Sequence, residues 1–347
     1  MKVNILIVHL NGEKVIYNCL SSIYNNTKGI NNEYNKIKIR ILLNNSADKS
    51  EEIIKKNFPG ISIYKTSKTI GFAEACNFLA KKSDSEYIVF LNNDTEVNKN
   101  WLDEMLKTIK NHKNCVVCQP KIKSYYQKEM FEYAGAAGGF IDKYGYPFCR
   151  GRIFDSVERD MGQYNDEKRI FWACGVCFFV NRDFFIKTGG FDEEFFMYAE
   201  ELDFCWRANI YGKEIWYCPT SEIYHIGSYS VRKERINLKK EYLIIRNHIL
   251  LLLKNYSALN IIKILPLRIS LEIISSIIFF PVKTVSFLKT CINLPFIYVM
   301  KINKKRNKIQ SERKVHDKEI SKLMAKESIA LDYFIKGKRK FNEVKFK

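Results

Sequence analysis

Between Ile249 and Met300 the chain has no uncharged stretch approaching the roughly 20 residues a membrane-spanning helix requires, because Lys263, Arg268, Glu272, Lys283 and Lys289 interrupt it. A spanning segment is therefore not expected there. The apolar run Val3 to Leu10 ends in Asn11-Gly12 without a small-residue cleavage site, so it reads as a first strand and not as a signal peptide. Cysteine is plentiful, at ten residues, but metal spacing is missing. The pairs Cys115/Cys118 and Cys174/Cys177 lie inside apolar, β-branched runs, and they are much further apart than the roughly 15–20 residues of a zinc ribbon. Buried free thiols in a reducing cytoplasm account for them.

The first two thirds of the chain also lack net charge. Residues 232–347 carry 27 Lys and Arg against 9 Asp and Glu, which leaves 30 against 29 in residues 1–231. The overall +19 is thus a property of the tail, and it points to an anionic surface met by that segment, membrane lipid or nucleic acid. With 347 residues, 46% of them hydrophobic, the chain can form one large α/β domain with an appendage, or two domains.

Strand-like and helix-like stretches alternate through residues 1–231. VNILIV (Val3 to Val8) is a continuous β-rich run, as in a strand buried on both faces, and Gly12 turns the chain into a helix through about Asn25. Ile39 to Leu43, Ile61 to Tyr64 and Tyr87 to Leu91 repeat the pattern, with helices at EEIIKKNF and Phe72 to Lys82. This order predicts a mostly parallel sheet that binds its ligand beyond the carboxyl ends of the strands. Polar clusters stand at three such ends: His9 to Gly12, Asn44 to Asp48, and Asn92 to Asp94. In the last, Asn92 and Asp94 are two residues apart and point to one side, which suits a divalent cation as well as it suits turn chemistry. His225, after short strands expected at Ile215 to Tyr217 and Glu222 to Tyr224, is a further ligand candidate or a structural histidine.

The segment GGFDEEFFMYAEELDFCWR (Gly189 to Arg207) places Glu200, Glu201 and Asp203 among aromatics that need burial. A buried acid near other acids has a raised pKa, which suits a general base working near neutrality. Acids also favour the first turn of any helix, and Asp203 can pair with Arg207 four residues on, so one of the three is open to a purely structural reading.

The order VHLNG (Val8 to Gly12), NNSADKS (Asn44 to Ser50), GFAEACN (Gly71 to Asn77), YIVFLNNDTEV (Tyr87 to Val97), the acidic segment above, and Pro219 to His225 resembles inverting family-2 glycosyltransferases, closest to their rhamnosyltransferase-like branch. It covers nearly all of residues 1–231 and extends into YLIIRN (Tyr242 to Asn247). The resemblance implies a GT-A fold, a Rossmann-like α/β nucleotide-binding domain in residues 1–231. It also implies a nucleotide-sugar donor, Mg²⁺ or Mn²⁺, and single-displacement transfer of a hexose, rhamnose being one option, to a glycan or polyprenyl-linked glycan of a cell-surface polysaccharide. Residues 1–98 would form the donor half and 99–231 the acceptor half. By the same resemblance Asp94 and His225 fall to the metal, and His9, Asn11, Asn44, Gly71, Asn77 and Asn92 to the donor. Glu201 stands where the family has its base, with Glu200 as competitor, and Gly175 and Asp203 lie on the acceptor side. Asn44, Asn92 and Glu201 depart from the family's commonest acids, which keeps a catalytically silent, nucleotide-sugar-binding scaffold as an alternative. A transferase acting directly on polyprenyl phosphate is the other.

In the tail, Arg268, Glu272 and Ser275/Ser276 recur at helical spacing and leave a wide face of Ile, Leu and Phe, followed by KINKKRNK (Lys301 to Lys308). An apolar helix next to a polybasic segment is the two-signal arrangement for attachment to anionic lipid. Residues 232–347 are accordingly expected to form an amphipathic helical region on the inner face of the cell membrane, with a helical subdomain packed on the rest as the alternative. Those apolar faces argue against nucleic acid as the partner.

Overall fold

A computed structural model describes residues 2–27, 36–227 and 237–346. The expected division at residue 231/232 lies outside the described residues. The first half alternates as the sequence predicts: β1 (Lys2–His9), α1 (Glu13–Thr27), β2 (Lys36–Asn44), α2 (Ser50–Asn57), β3 (Ser62–Thr66), α3 (Phe72–Lys82) and β4 (Tyr87–Leu91). β1 pairs in parallel with β2 on one side and β4 on the other, setting Ile5 against Ile39 and Val89. Both faces of β1 are covered, which is why its sequence is a continuous apolar run.

Beyond β4 come β5 (Thr95–Val97), α4 (Trp101–Asn111) and β6 (Cys115–Ser124), then a second group, β7 (Gly139–Asp142), β8 (Pro147–Cys149), β9 (Arg152–Ile153) and β10 (Ser156–Val157). The chain returns through β11 (Lys168–Ile170), β12 (Cys177–Asn181), α5 (Arg182–Lys187), α6 (Glu200–Ile210) and β13 (Glu214–His225). The main sheet runs β11-β13-β6-β12-β4-β1-β2-β3, with β5 paired to β13. β12 is antiparallel to both β4 and β6, so the sheet is mixed where a mostly parallel one was expected. The two short strands expected around residues 215–224 are one strand, irregular between Cys218 and Glu222, which carries it across Pro219. Under the acidic segment, Phe90, Phe178, Phe185, Phe191 and Phe204 form one aromatic cluster, for example Phe90–Phe185 at 5.2 Å and Phe178–Phe191 at 5.4 Å between ring centres. Nine of the ten cysteines are buried and all ten are free.

The tail forms α7 (Leu238–Asn255), α8 (Ala258–Ile278), α9 (Val282–Ile297), a π-helical turn (Tyr298–Ile302), α10 (Asn303–Ser311), α11 (Asp317–Ile320), β14 (Met324–Ala325) and α12 (Ile329–Phe334). Charge composition and packing divide the chain differently. Leu250, Leu251 and Leu252 of α7, then Ile302, Ile309 and Ile329, belong to the same core as the sheet, and β14 adds a parallel strand to β7. The α8–α9 hairpin touches this core through Ile261, Ile264, Leu294 and Ile297 but leaves much of its apolar surface outside: Ile262, Ile277, Phe280 and Ile292 are each more than 70% exposed. From Val282 to Ser311 the helix is 30 residues long, long and apolar enough to cross a membrane by length and composition alone. The lysines that interrupt its sequence lean on neighbours, Lys283 on Ser275 and Lys289 over the Tyr242 ring.

Candidate active site

The carboxyl ends of β4 and β13 meet beside the residues that lead into β12. β4 is followed by Asn92, whose backbone N–H donates to Val176 O at 3.0 Å, tying this turn to the strand that follows Gly175. Asp94 is buried, and His225 at the end of β13 brings its Nε2 within 3.2 Å of Asp94 Oδ1 and 3.4 Å of the Asn92 side-chain amide. On the other side of the imidazole, Nδ1 lies 3.6 Å from Glu132 Oε1. Burial pushes His225 towards neutrality, but the carboxylates of Asp94 and Glu132 outweigh it and raise its pKa to about 9. Among the described residues no group of three or more His, Cys, Asp and Glu side chains is arranged to hold a metal. The Asp94 carboxylate is the ligand type Mg²⁺ and Mn²⁺ prefer, and His225 could join it only after losing the proton that Asp94 and Glu132 hold on it.

Glu200 and Glu201 open α6, which Ala199 enters from a left-handed conformation, φ 70°. Phe196 and Tyr198 are left-handed too, so three non-glycine residues in four hold a costly backbone. They are secured from α7: the Asn247 amide donates to Phe195 O, Met197 O and Tyr198 O, and Arg246 Nη2 donates to Glu194 O and Phe195 O. The Glu201 carboxylate lies beside the Gly175 backbone, which favours its charged form, and its Oε2 is buried without a partner. A Cβ on Gly175 would stand 3.9 Å from Glu201 Oε1 and 3.6 Å from the Phe72 ring. Since Val176, the next residue, holds Asn92, the acid and the Asn-x-Asp turn meet across Gly175-Val176. Burial raises the pKa of both glutamates, and the neighbouring Glu201 raises Glu200 further.

Several expected ligand residues serve the scaffold instead. His9 is fully buried, its Nε2 accepting from Gly12 N–H and bonded to the Ser50 hydroxyl at 2.7 Å, its Nδ1 2.8 Å from the Asn93 amide. It knits three loops together and presents no free nitrogen to a base. Asn44 likewise spends its amide on Ile70 N–H, Ile70 O and the Thr66 hydroxyl, so it fastens the end of β2 to the loop before α3. Asn77 holds Phe191 through both backbone groups and also donates to Glu193. Asp203, expected on the acceptor side, is fully buried between Arg207 at 2.9 Å, Lys254 at 2.8 Å and Asn255 at 2.9 Å. Asn11 stays exposed, with Oδ1 accepting from Ala47 N–H. Gly71 meets Phe196 so closely that a Cβ would fall 2.9 Å from its ring and its carbonyl oxygen.

The sequence assigns no role to Glu132, Asn93, Arg246, Asn247 or Lys254, although Asn93 lies in the Asn92 to Asp94 cluster. YLIIRN was a signal for two of them, but it carried no role. Glu132 sits in irregular chain between β6 and β7, where no periodicity places a side chain.

A model of the glycosyl transferase family 2 matches residues 4–189, just over half of the chain. Among curated proteins the chain is similar to the N-acetylglucosaminyl-diphospho-decaprenol L-rhamnosyltransferase of Mycobacterium tuberculosis, 23% identical over 209 residues, which cover 55% of this chain and 67% of that one. It is also similar to a probable N-acetylgalactosaminyltransferase 9 of Caenorhabditis elegans, 26% identical over 151 residues, 42% of this chain and only 26% of that protein's length. Among solved structures, GalNAc-T7 with UDP, GalNAc and Mn²⁺ superposes with a TM-score of 0.55 at 15% identity, covering 73% of this chain and 48% of the other. At that identity the likeness speaks for the fold.

Proposed function

This chain belongs to glycosyl transferase family 2, and we propose that it moves a sugar, a hexose such as rhamnose, from a nucleotide-sugar donor to a glycan or lipid-linked glycan with inversion at the anomeric carbon. The observation that carries the reading is the meeting of Glu201 with the Asn92–Asp94–His225 cluster across Gly175-Val176. Glu201 takes the proton of an acceptor hydroxyl; the bond from that oxygen to the anomeric carbon forms as the bond to the diphosphate oxygen breaks. Burial that raises the carboxyl pKa makes it a better base for this step. Asp94 and His225 would hold Mg²⁺ or Mn²⁺. Such an ion supplies Lewis-acid stabilisation of the departing diphosphate. The Gly175 contact and the Asn247 clamp hold Glu201 and the turn before it in place, so the base is positioned before the acceptor arrives.

Nucleotide-sugar hydrolysis or transfer stimulated by Mn²⁺, and lowered about 10²–10⁴-fold in Glu201→Gln, is the expected result. A panel of nucleotide sugars that leaves the melting temperature unchanged with and without Mn²⁺ would refute it.

The bacterial relative's name carries a lipid-linked diphosphate acceptor, which favours a membrane setting here. We place the chain at the cytoplasmic face, peripheral, with the exposed hairpin Ala258–Ile297 in the lipid interface and Lys301, Lys304 and Lys308 against anionic headgroups. Sedimentation with phosphatidylglycerol vesicles at low salt, and not with phosphatidylcholine vesicles, tests that placement.

A further inference from the structure

Six arginines are buried among the described residues, and five of them are answered. Arg150 pairs with Asp166, Arg207 with Asp203 and Arg268 with Glu272, while Arg246 and Arg306 donate to carbonyl oxygens at 2.8 Å and 2.6 Å. Arg152 is the sixth. It begins β9 at 7% exposure, no carboxylate among the described residues is paired with it, and its guanidinium makes two long contacts, Nη1 to Phe154 O at 3.4 Å and Nη2 to the Cys149 sulfur at 3.6 Å. Nε makes none. A buried cation in this state keeps its desolvation cost, which the face of the Tyr133 ring, its centre 4.5 Å from the guanidinium carbon, offsets only in part.

The charge stands in the acceptor half of the domain, close to the base. Tyr133, itself half exposed, follows Glu132, which reaches His225, and Gly135 lies so near Cys174 that a Cβ on it would fall 2.6 Å from the Cys174 Cβ. Cys174 precedes Gly175, which faces Glu201, and its thiol is within electrostatic reach of both Glu201 and Arg152. An unanswered cation and a half-exposed ring thus stand beside the segment that carries the Glu201 contact.

We infer that Arg152 and Tyr133 bind an acidic sugar of the acceptor glycan, its carboxylate on the guanidinium and its ring against the exposed face of the tyrosine. The inference rests on the transferase reading for the word acceptor, and on Arg152 alone for the ligand's charge. One guanidinium with no second free cation matches one negative charge, and its parallel N–H groups fit the two oxygens of a planar carboxylate. Arg150, two residues earlier, is committed to Asp166 and lies over the Tyr164 and Tyr217 rings, so it adds no charge here. Arg152 selects the acceptor; it takes no part in proton transfer.

The test uses the full chain in mild detergent, titrated by saturation-transfer NMR with the methyl glycosides of glucuronate and galacturonate, their neutral glucose and galactose counterparts, and glucose 1-phosphate. At least one uronate is expected to bind about tenfold or more tightly than its neutral counterpart, and Arg152→Gln to bring it down to the neutral sugar's level, with Arg152→Lys between the two. Melting temperatures show whether the variants fold, and the wild-type preference for uronate over neutral sugar is a test that needs no variant. Equal binding of uronates and neutral sugars would overturn the inference, and so would a folded Arg152→Gln that keeps the preference. Glucose 1-phosphate binding as tightly as the uronates would identify a phosphate site and overturn the acidic-sugar assignment. If uronates bind through Arg152 but no nucleotide sugar binds, the transferase reading falls and the subsite stands; nucleotide-sugar binding without uronate preference gives the reverse.

Discussion

Replacing Lys254 with Met should destabilise the fold far more than replacing Lys305 with Met, although both lysines hold the same carboxylate. Lys254 Nζ lies 2.6 Å from Asp192 and 2.8 Å from Asp203, with all three side chains at most 4% exposed. Lys305 also reaches Asp192, at 2.5 Å, but its own side chain is 43% exposed. Breaking a buried ion pair by removing one partner costs about 3–5 kcal/mol, because the remaining charge keeps its desolvation penalty. For Lys254→Met the low end of that range applies at Asp203, which keeps Arg207 and Asn255, while Asp192 falls back on Lys305 and the Glu194 N–H. Lys305→Met removes a solvent-screened partner and should cost under about 1 kcal/mol. Urea unfolding of the two variants at pH 7, followed by far-ultraviolet circular dichroism, measures the difference. The sign with pH follows from the carboxylates. Burial would raise both, yet the cations hold Asp192 and Asp203 below the usual range, so their contribution is present above about pH 4 and is lost as pH falls further. The gap between wild type and Lys254→Met must therefore close in acid. Equal costs for the two variants, or a gap that widens below pH 4, would refute the reasoning, and with it the view that α7 is part of the catalytic fold.

Other outcomes are equally open to measurement. Burial lowers the pKa of His9 from 6.5 to about 4 against the opposing pull of Asp48, so its stabilising effect is full above pH 6.5 and fades as pH falls; at pH 5 the loss is about 2 kcal/mol, and urea titrations of His9→Gln should lack that part of the acid slope. Glu200 carries the opposite sign: its raised pKa makes stability fall as pH climbs past the ordinary carboxylate value, and Glu200→Gln should flatten the decline seen between pH 5 and 8 by thermal melts. Gly190→Ala should cost about 1–3 kcal/mol, since φ is +67° and a Cβ would fall 2.3 Å from Asn77 Oδ1, whereas Gly189→Ala, at φ +86° with nothing within 4 Å, should cost about 1 kcal/mol of backbone strain; denaturant midpoints separate the two.

Much of the fold was legible because its signals are local. β1, β2 and β4 are short apolar runs followed by polar turns, and such runs report parallel pairing whatever lies elsewhere in the chain. The strand-end residues Asn92 and Asp94 were legible for the same reason. Antiparallel β12 was not, since an apolar strand in the middle of a sheet reads alike in either direction. Asn44 and Asn77 show a different limit. A buried amide in a binding motif suggests recognition, but an amide has two faces, and here both are satisfied by backbone groups of loops that close only after folding.

The tail taught the sharper lesson about charge. Read as composition, residues 232–347 are a basic appendage; in the structure its charges divide by burial. Lys254 and Arg306 point inward, Lys254 to neutralise the acidic motif and Arg306 to cap α7 through Leu253 O and Tyr256 O, so they add net charge to the count without adding a basic surface. Lys301, Lys304 and Lys308 remain exposed at the foot of the apolar hairpin. The hairpin itself turns Arg268 and Glu272 onto Tyr144 and Tyr146 and leaves Ile, Leu and Phe outside. The hairpin thus buries Arg268 and Glu272, leaves Lys263 and Lys289 exposed, and presents an apolar surface of the kind that marks an interaction face. Because α7 holds the turn before Glu201 and also packs against α9, the hairpin is joined to the acidic motif by a single helix.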